Sequence, residues 1–154
     1  SMVDTQQLMS EGARVRLVKG AYKEPPELAF PKKKDVDANF DRLTEVLVAG
    51  AVVHGCPPSR ADGRMPPIPA IATHDAARVA FAKQAAAQAG LPKEAIEFQM
   101  LYGIRRELQE QLAAEGYPVR VYVPYGREWY PYFVRRLAER PANLWFFVSN
   151  LLRR

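Results

Sequence analysis

The chain has 154 residues, 48 % hydrophobic and 25 % charged, with a formal net charge of +5, the usual mix for one globular domain with its own core. No apolar run approaches the ~20 residues of a membrane span, no cleavable leader pattern is seen, and the lone Cys56 excludes an intramolecular disulfide framework and fits a reducing, cytoplasmic setting. The positive charge admits nucleic acid, anionic lipid or an anionic cofactor, and selects none of them.

Ser1-Met2 reads as a cloning remnant, and the remainder as a single domain over 1–154. There is no internal repeat of roughly 20 to 50 residues. The stretch "ARVRLVKGAY" (13–22) is short, apolar and β-branched, and predicts a buried strand. "DVDANFDRLTEVLVAG" (35–50) has Phe40, Leu43, Val46 and Leu47 at helical spacing, with Gly50 as a stop signal. "HGCPPSRADGRMPP" (54–67) is a Pro/Gly-rich loop. "IPAIATHD" (68–75) predicts a second strand, and "DAARVAFAKQAAAQAGL" (75–91) an Ala-rich helix closed by Gly90. "AIEFQMLYG" (95–103) is a third strand, "IRRELQEQLAAEG" (104–116) a helix stopped by Gly116, and "VRVYVPYG" (119–126) a fourth strand. Helices are predicted over 129–140 and, after Pro141, over 142–154.

Four strands, each followed by a helix, mean an α/β fold with a parallel sheet. An open doubly wound sheet and a (β/α)8 barrel both satisfy this pattern. A full barrel takes roughly 250 residues, so this chain could form only about half of one. Polar groups gather at the C-terminal strand ends: Lys19 and Tyr22, Thr73 and His74, Gln99, and Tyr122. Both architectures put their ligand site there.

Strand alternation sends Arg16, Val18 and Gly20 to one face and Val15, Leu17 and Lys19 to the other. Two cations in so apolar a run ask for an anion. A neighbouring carboxylate could answer Arg16, and Gly20 could simply start a turn; alternatively, Gly20 lets a flat ligand approach the backbone. Thr73 and His74 could bind phosphate or a polar ring edge, or could help Asp75 cap the next helix. His54, Cys56 and His74 do not have the spacing of a metal site. Arg135, Arg136 and Glu139 share a helix surface. That is either a solvated ion-pair face or, among Tyr132, Phe133 and Leu137, a bidentate carboxylate or phosphate clamp. The aromatics from Tyr122 to Tyr132 are mostly core material, and Tyr122 could also wall a pocket. "PKKK" (31–34) reads as a solvated loop. No glycine-rich phosphate loop, nucleophile elbow or Cys-His pair is present.

Taken in order, "RLVKGAY", "ATHD", "EFQMLYG", "RVYVPYG" and "VRRLAERPAN" resemble the proline dehydrogenase family. The longer run "VPYGREWYPYFVRRLAERPAN" is most similar to its single-function bacterial members. The resemblance implies a (β/α)8 barrel of the TIM type, here represented by its second half (strands five to eight) plus a C-terminal helix. It implies oxidation of L-proline to Δ1-pyrroline-5-carboxylate by hydride transfer to N5 of a non-covalent FAD, reoxidised by membrane quinone. The location implied is cytoplasmic, with peripheral contact at the inner membrane. By position, Arg16, Val18, Lys19, Gly20, Ala21, Thr73, His74, Gln99, Arg136 and Glu139 would contact FAD. Tyr22, Leu101, Tyr122, Arg135 and Arg136 would contact proline, and Arg16, Tyr122, Arg135 and Arg136 would carry catalysis. No metal is implied. The family's first barrel half, with a Lys and an Asp near the substrate, has no counterpart here; Lys23 stands where an aromatic is frequent, and 54–67 reads as an insertion. Self-association, or pairing with the missing half, is therefore expected. A non-catalytic half-barrel that binds flavin weakly or serves as an interaction module is the alternative reading. Nucleic acid is not expected, because the cations form no continuous stripe.

Overall fold

A parallel sheet buried on its helix-covered face needs apolar, β-branched strands, and four segments meet that need. In the computed structural model, which describes residues 2–20, 25, 27–123 and 125–126, they are β1 (Val15–Val18), β2 (Pro69–Ala72), β3 (Glu97–Leu101) and β4 (Val119–Tyr122). The helices are α1 (Met2–Ser10), α2 (Lys33–Val53), α3 (Ala76–Gln88) and α4 (Arg106–Ala114), with a 3-10 turn at Lys93–Ala95. The helices expected over 129–140 and 142–154 lie outside the described residues.

The strand order is β1-β2-β3-β4, parallel at every step. A doubly wound sheet would reverse its order at a central switch point. Here each crossover steps the same way, and right-handed crossovers then place every connecting helix on one face. This is the winding of a (β/α) barrel, carried through four of the eight strands of that fold.

Alternation divides the strands into two surfaces. Val15, Leu17, Ile71, Phe98, Met100 and Val119 pack with the helices. Against them lie Phe40, Leu47, Val48 and Ala51 of α2, Val79, Ala82 and Ala86 of α3, and Leu112 of α4. Phe98 and Tyr117 meet edge to face, with ring centroids 5.4 Å apart. Arg16, Ala70, Ala72, Glu97, Gln99, Leu101, Arg120 and Tyr122 take the other, concave surface by the same alternation.

The largest departure from the sequence reading concerns Gly50. It does not stop α2, which continues to Val53. Its role is spatial: a Cβ there would lie 1.9 Å from Met9 Cε. Helix α1, for which the sequence predicts no element, sits against α2 at this gap, and His54 Nε2 lies 2.6 Å from the Met9 carbonyl oxygen. Close approach thus explains a glycine in a helix interior, where it costs about 1 kcal/mol relative to alanine. Gly50→Val is expected to expel Met9 and lower stability by about 1–3 kcal/mol, with new protease cleavage within residues 2–14; unchanged protection of that segment would contradict the packing described.

Candidate functional site

The concave surface carries a polar network that begins on β1 and ends on β4. Arg16 Nε donates to Gln99 Oε1 at 2.8 Å. The Tyr122 hydroxyl donates to the same oxygen at 3.0 Å. The Arg16 guanidinium also lies 5.2 Å from the centroid of the Tyr122 ring, within cation–π range. Gln99 is 3 % exposed, so its oxygen is a buried acceptor satisfied by two donors. Its Nε2 donates to Glu97 Oε1 at 2.6 Å, and Arg120 grips both Glu97 oxygens at 2.8 and 2.9 Å.

Strand β2 makes this reach feasible. Arg16 is on β1 and Gln99 on β3, two strand spacings away, or about 10 Å. Between them β2 presents only Ala70 and Ala72, which leave the guanidinium a path across the sheet.

A second cluster lies at the same end of the sheet, on the helix side. Lys19 bonds to Asp37 of α2, and its Nζ is 3.0 Å from Asp75 Oδ2. Lys33 also bonds to Asp37, and Arg78 Nε lies 3.0 Å from Asp41 Oδ1. The Lys19 and Lys33 hydrogen bonds hold the Asp37 carboxyl at about 2, well below its ordinary 3.8. Burial pushes Asp75 up, but the hydrogen bond and charge of Lys19 outweigh it and the net shift is down. Asp41 goes the other way, raised by burial and only partly relieved by Arg78.

Asp75 caps α3, its Oδ1 accepting from the Ala77 amide at 3.0 Å. Thr73 Oγ1 accepts from the Asp75 amide at 3.1 Å. The Leu101 amide donates to His74 Nε2 at 2.9 Å, which puts the ring proton on Nδ1. Gln99 and Leu101 are register partners of Arg120 and Tyr122. At Gly20 an added Cβ would meet no atom within 4 Å. The structure thus brings Arg16, Val18, Lys19, Gly20, Thr73, His74, Gln99, Leu101 and Tyr122 to one end of one sheet. Ala21, Tyr22, Arg135, Arg136 and Glu139 lie outside the described residues. Among the described residues no group of His, Cys, Asp or Glu is arranged to hold a metal, and no helix is long and apolar enough to cross a membrane.

The sequence profile described as "Proline dehydrogenase" matches residues 2–148. The chain belongs to the proline dehydrogenase family. Proline dehydrogenase from Deinococcus radiodurans is 46 % identical over 154 residues, covering 99 % of this chain and 44 % of that protein. Proline dehydrogenase 1 of Bacillus subtilis is 43 % identical over 152 residues, covering 98 % and 45 %. The chain therefore spans less than half the length of these curated relatives. A solved structure of proline utilization A (PutA) from Bdellovibrio bacteriovorus, inactivated by N-propargylglycine, superposes with a TM-score of 0.71 at 29 % identity over 89 % of this chain and 15 % of that one.

Within this family member, sequence reasoning left Glu97, Arg120 and Asp37 unremarked, while Asp75 takes the capping role that the sequence offered for it. Glu97 and Arg120 could have been found by continuing the alternation from Gln99 and Tyr122, since a charged residue on the inward face of a buried strand demands a partner. Asp37, and the second role of Asp75 as a partner of Lys19, are harder to find, because a lysine at a strand end does not say which helix N-terminus will meet it. A carboxylate on a neighbouring strand is one expected partner of Arg16; the structure gives it the Gln99 amide of β3 instead, and Glu97 is engaged by Arg120.

Because folding depresses the Asp37 pKa, its contribution to stability is complete above about pH 4 and is lost as the pH falls towards about 2. Asp37→Asn is expected to flatten the stability–pH curve in that window, read from urea midpoints; an unaltered slope would show that the carboxyl is not held by the lysines. Ala72→Leu is expected to block the path of Arg16 and cost about 1–3 kcal/mol through overpacking, measured by thermal unfolding. A fully tolerated leucine would mean that Arg16 does not cross β2.

Proposed function

We propose that this chain provides a flavin- and substrate-facing half of an enzyme that oxidises L-proline to Δ1-pyrroline-5-carboxylate in proline catabolism, its strands corresponding to strands five to eight of the barrel. The observation that carries the reading is the Arg16–Gln99–Tyr122 network, which fixes a cation, an amide and an aromatic ring on the concave face at the C-terminal strand ends. Ligand sites of (β/α) barrels lie at that end.

The residues present fit FAD. Among the described residues, Arg16 spends only Nε on a hydrogen bond to protein, an added Cβ at Gly20 would meet nothing within 4 Å, and Thr73 and His74 directly follow β2, the neighbour of the strand that carries Gln99. Arg16, Val18, Lys19, Gly20, Ala21, Thr73, His74, Gln99, Arg136 and Glu139 would hold the cofactor. Lys19 joins them as a fixed part of the strand end, because Asp37 and Asp75 already claim its ammonium. FAD would supply the hydride acceptor. The chain's own groups bind and orient. Arg135 and Arg136 would grip the substrate carboxylate through charge-assisted hydrogen bonds. Tyr122, with Tyr22 and Leu101, would pack on the proline ring and so fix its reacting carbon. Arg16 would add positive charge where negative charge develops on the cofactor.

Quinone as electron acceptor, a cytoplasmic location and peripheral contact with the inner membrane belong to the same reading. The outer edges of β1 and β4 pair with no strand among the described residues. Free parallel edges favour completion by further strands, from a second copy or from the remaining part of a longer protein. The alternative, a half-barrel that binds flavin without chemistry, is an outcome of the same experiment. Purified protein is incubated with FAD, desalted, and its visible spectrum recorded before and after anaerobic proline. Retained flavin bands that bleach with proline are expected, and Arg16→Met is expected to slow the bleaching about a hundredfold. Retained bands that do not bleach would mean cofactor binding without oxidation, and no retained flavin would refute the proposal for this chain.

A further inference from the structure

Gln99 sits at the centre of the concave face, but an amide can face either way. Its oxygen accepts from Arg16 Nε and from the Tyr122 hydroxyl, at 2.8 and 3.0 Å. A flipped amide would turn its NH2 group towards Arg16, which has donors and no acceptor. Something must choose the orientation. Glu97 is the group that touches the other end of the amide, and it accepts from Nε2 at 2.6 Å. A carboxylate accepts and cannot donate, so only one orientation of Gln99 satisfies both ends. Glu97 itself is 3 % exposed, and a buried carboxylate survives only if paired. Arg120 supplies the pairing with two parallel contacts at 2.8 and 2.9 Å, a geometry that fixes the carboxyl plane as well as its charge. The chain of constraint therefore runs from Arg120 through Glu97 and Gln99 to Arg16 and Tyr122.

We infer that Glu97, held by Arg120, is a positioning residue that locks the Gln99 amide and thereby aims the Arg16 guanidinium and the Tyr122 hydroxyl across the concave face. Its consequence for rate rests on the proline dehydrogenase reading; its consequence for the Gln99 amide does not.

The test is Glu97→Gln in the full chain. Arg120 donates to both Glu97 oxygens, and Gln99 donates to one of them. Either orientation of the new amide therefore sets its NH2 against an Arg120 donor, so neither is held and the acceptor that Gln99 meets is no longer fixed. That frees Gln99 to turn, and a turned Gln99 sets donor against donor at Arg16. The side-chain NH2 resonances of Gln99 are assigned by their absence in Gln99→Met. In the unaltered protein they are expected to be well separated and slow to exchange, and in Glu97→Gln to shift and exchange rapidly. In protein loaded with FAD, anaerobic reduction by proline is expected to slow about tenfold. A pair that served stability alone would lower the melting temperature and leave the amide resonances in place. That result, or shifted resonances with an unchanged reduction rate, overturns the inference. If the unaltered protein retains flavin but is not reduced by proline, the functional reading fails, and the amide resonances alone decide whether Glu97 sets Gln99. Should Glu97→Gln not fold, the double variant Glu97→Met/Arg120→Met exchanges a buried pair for apolar volume, a change that is often well tolerated. It strips Gln99 of the same acceptor and is expected to give the same resonance changes; unmoved resonances there overturn the inference too.

Discussion

A single amide oxygen, that of Gln99, is where the two outer strands of the sheet meet on its concave side. Arg16 comes from β1 and Tyr122 from β4, and both donate to it. Gln99 is buried, and a buried acceptor is costly to leave unpaired, so the relative placement of β1 and β4 is tied to one side chain on β3. The same oxygen explains why β2 contributes only alanines to this face. Any larger side chain would stand between Arg16 and its acceptor.

The second cluster does different work. Lys19 leaves β1 on the helix side and takes carboxylates from α2 and from the N-cap of α3. It joins one strand end to the N-terminal ends of two helices. Its charge is compensated by Asp37 and Asp75, whereas Arg16 meets a neutral amide. Two cations only three residues apart thus have separate duties, and the faces to which alternation sends them decide which is which.

Much of this was legible in the sequence. All four strands and three of the helices are marked by apolar period and by turn residues, and alternation assigned Arg16 and Lys19 to opposite faces. The choice between barrel winding and a doubly wound sheet was not legible, because local patterns do not encode strand order. Helix α1 was missed because its own pattern is weak: only Thr5 and Met9 of its nine residues are buried. Its place is dictated by the gap at Gly50, a feature of a distant segment. At Gly50 local propensity and tertiary need point in opposite directions, and the tertiary contact prevails. Glu97 and Arg120 escaped notice for a related reason. Each looks like an ordinary surface charge until the register that pairs β3 with β4 brings them together.

The consecutive strand order also bears on how the chain assembles. Register partners are Phe98 and Val119, then Ala70 and Glu97, then Val15 and Pro69. The chain to be closed is therefore shortest for β3–β4 and longest for β1–β2, where α2 and the Pro/Gly-rich loop intervene. Closure entropy rises with the length of the loop, and local pairings form ahead of distant ones. Assembly can thus proceed from β3–β4 outwards, with β1 as the final strand to dock. Arg16 arrives only at that stage, so the polar network is the product of the last pairing and has no part in the early ones.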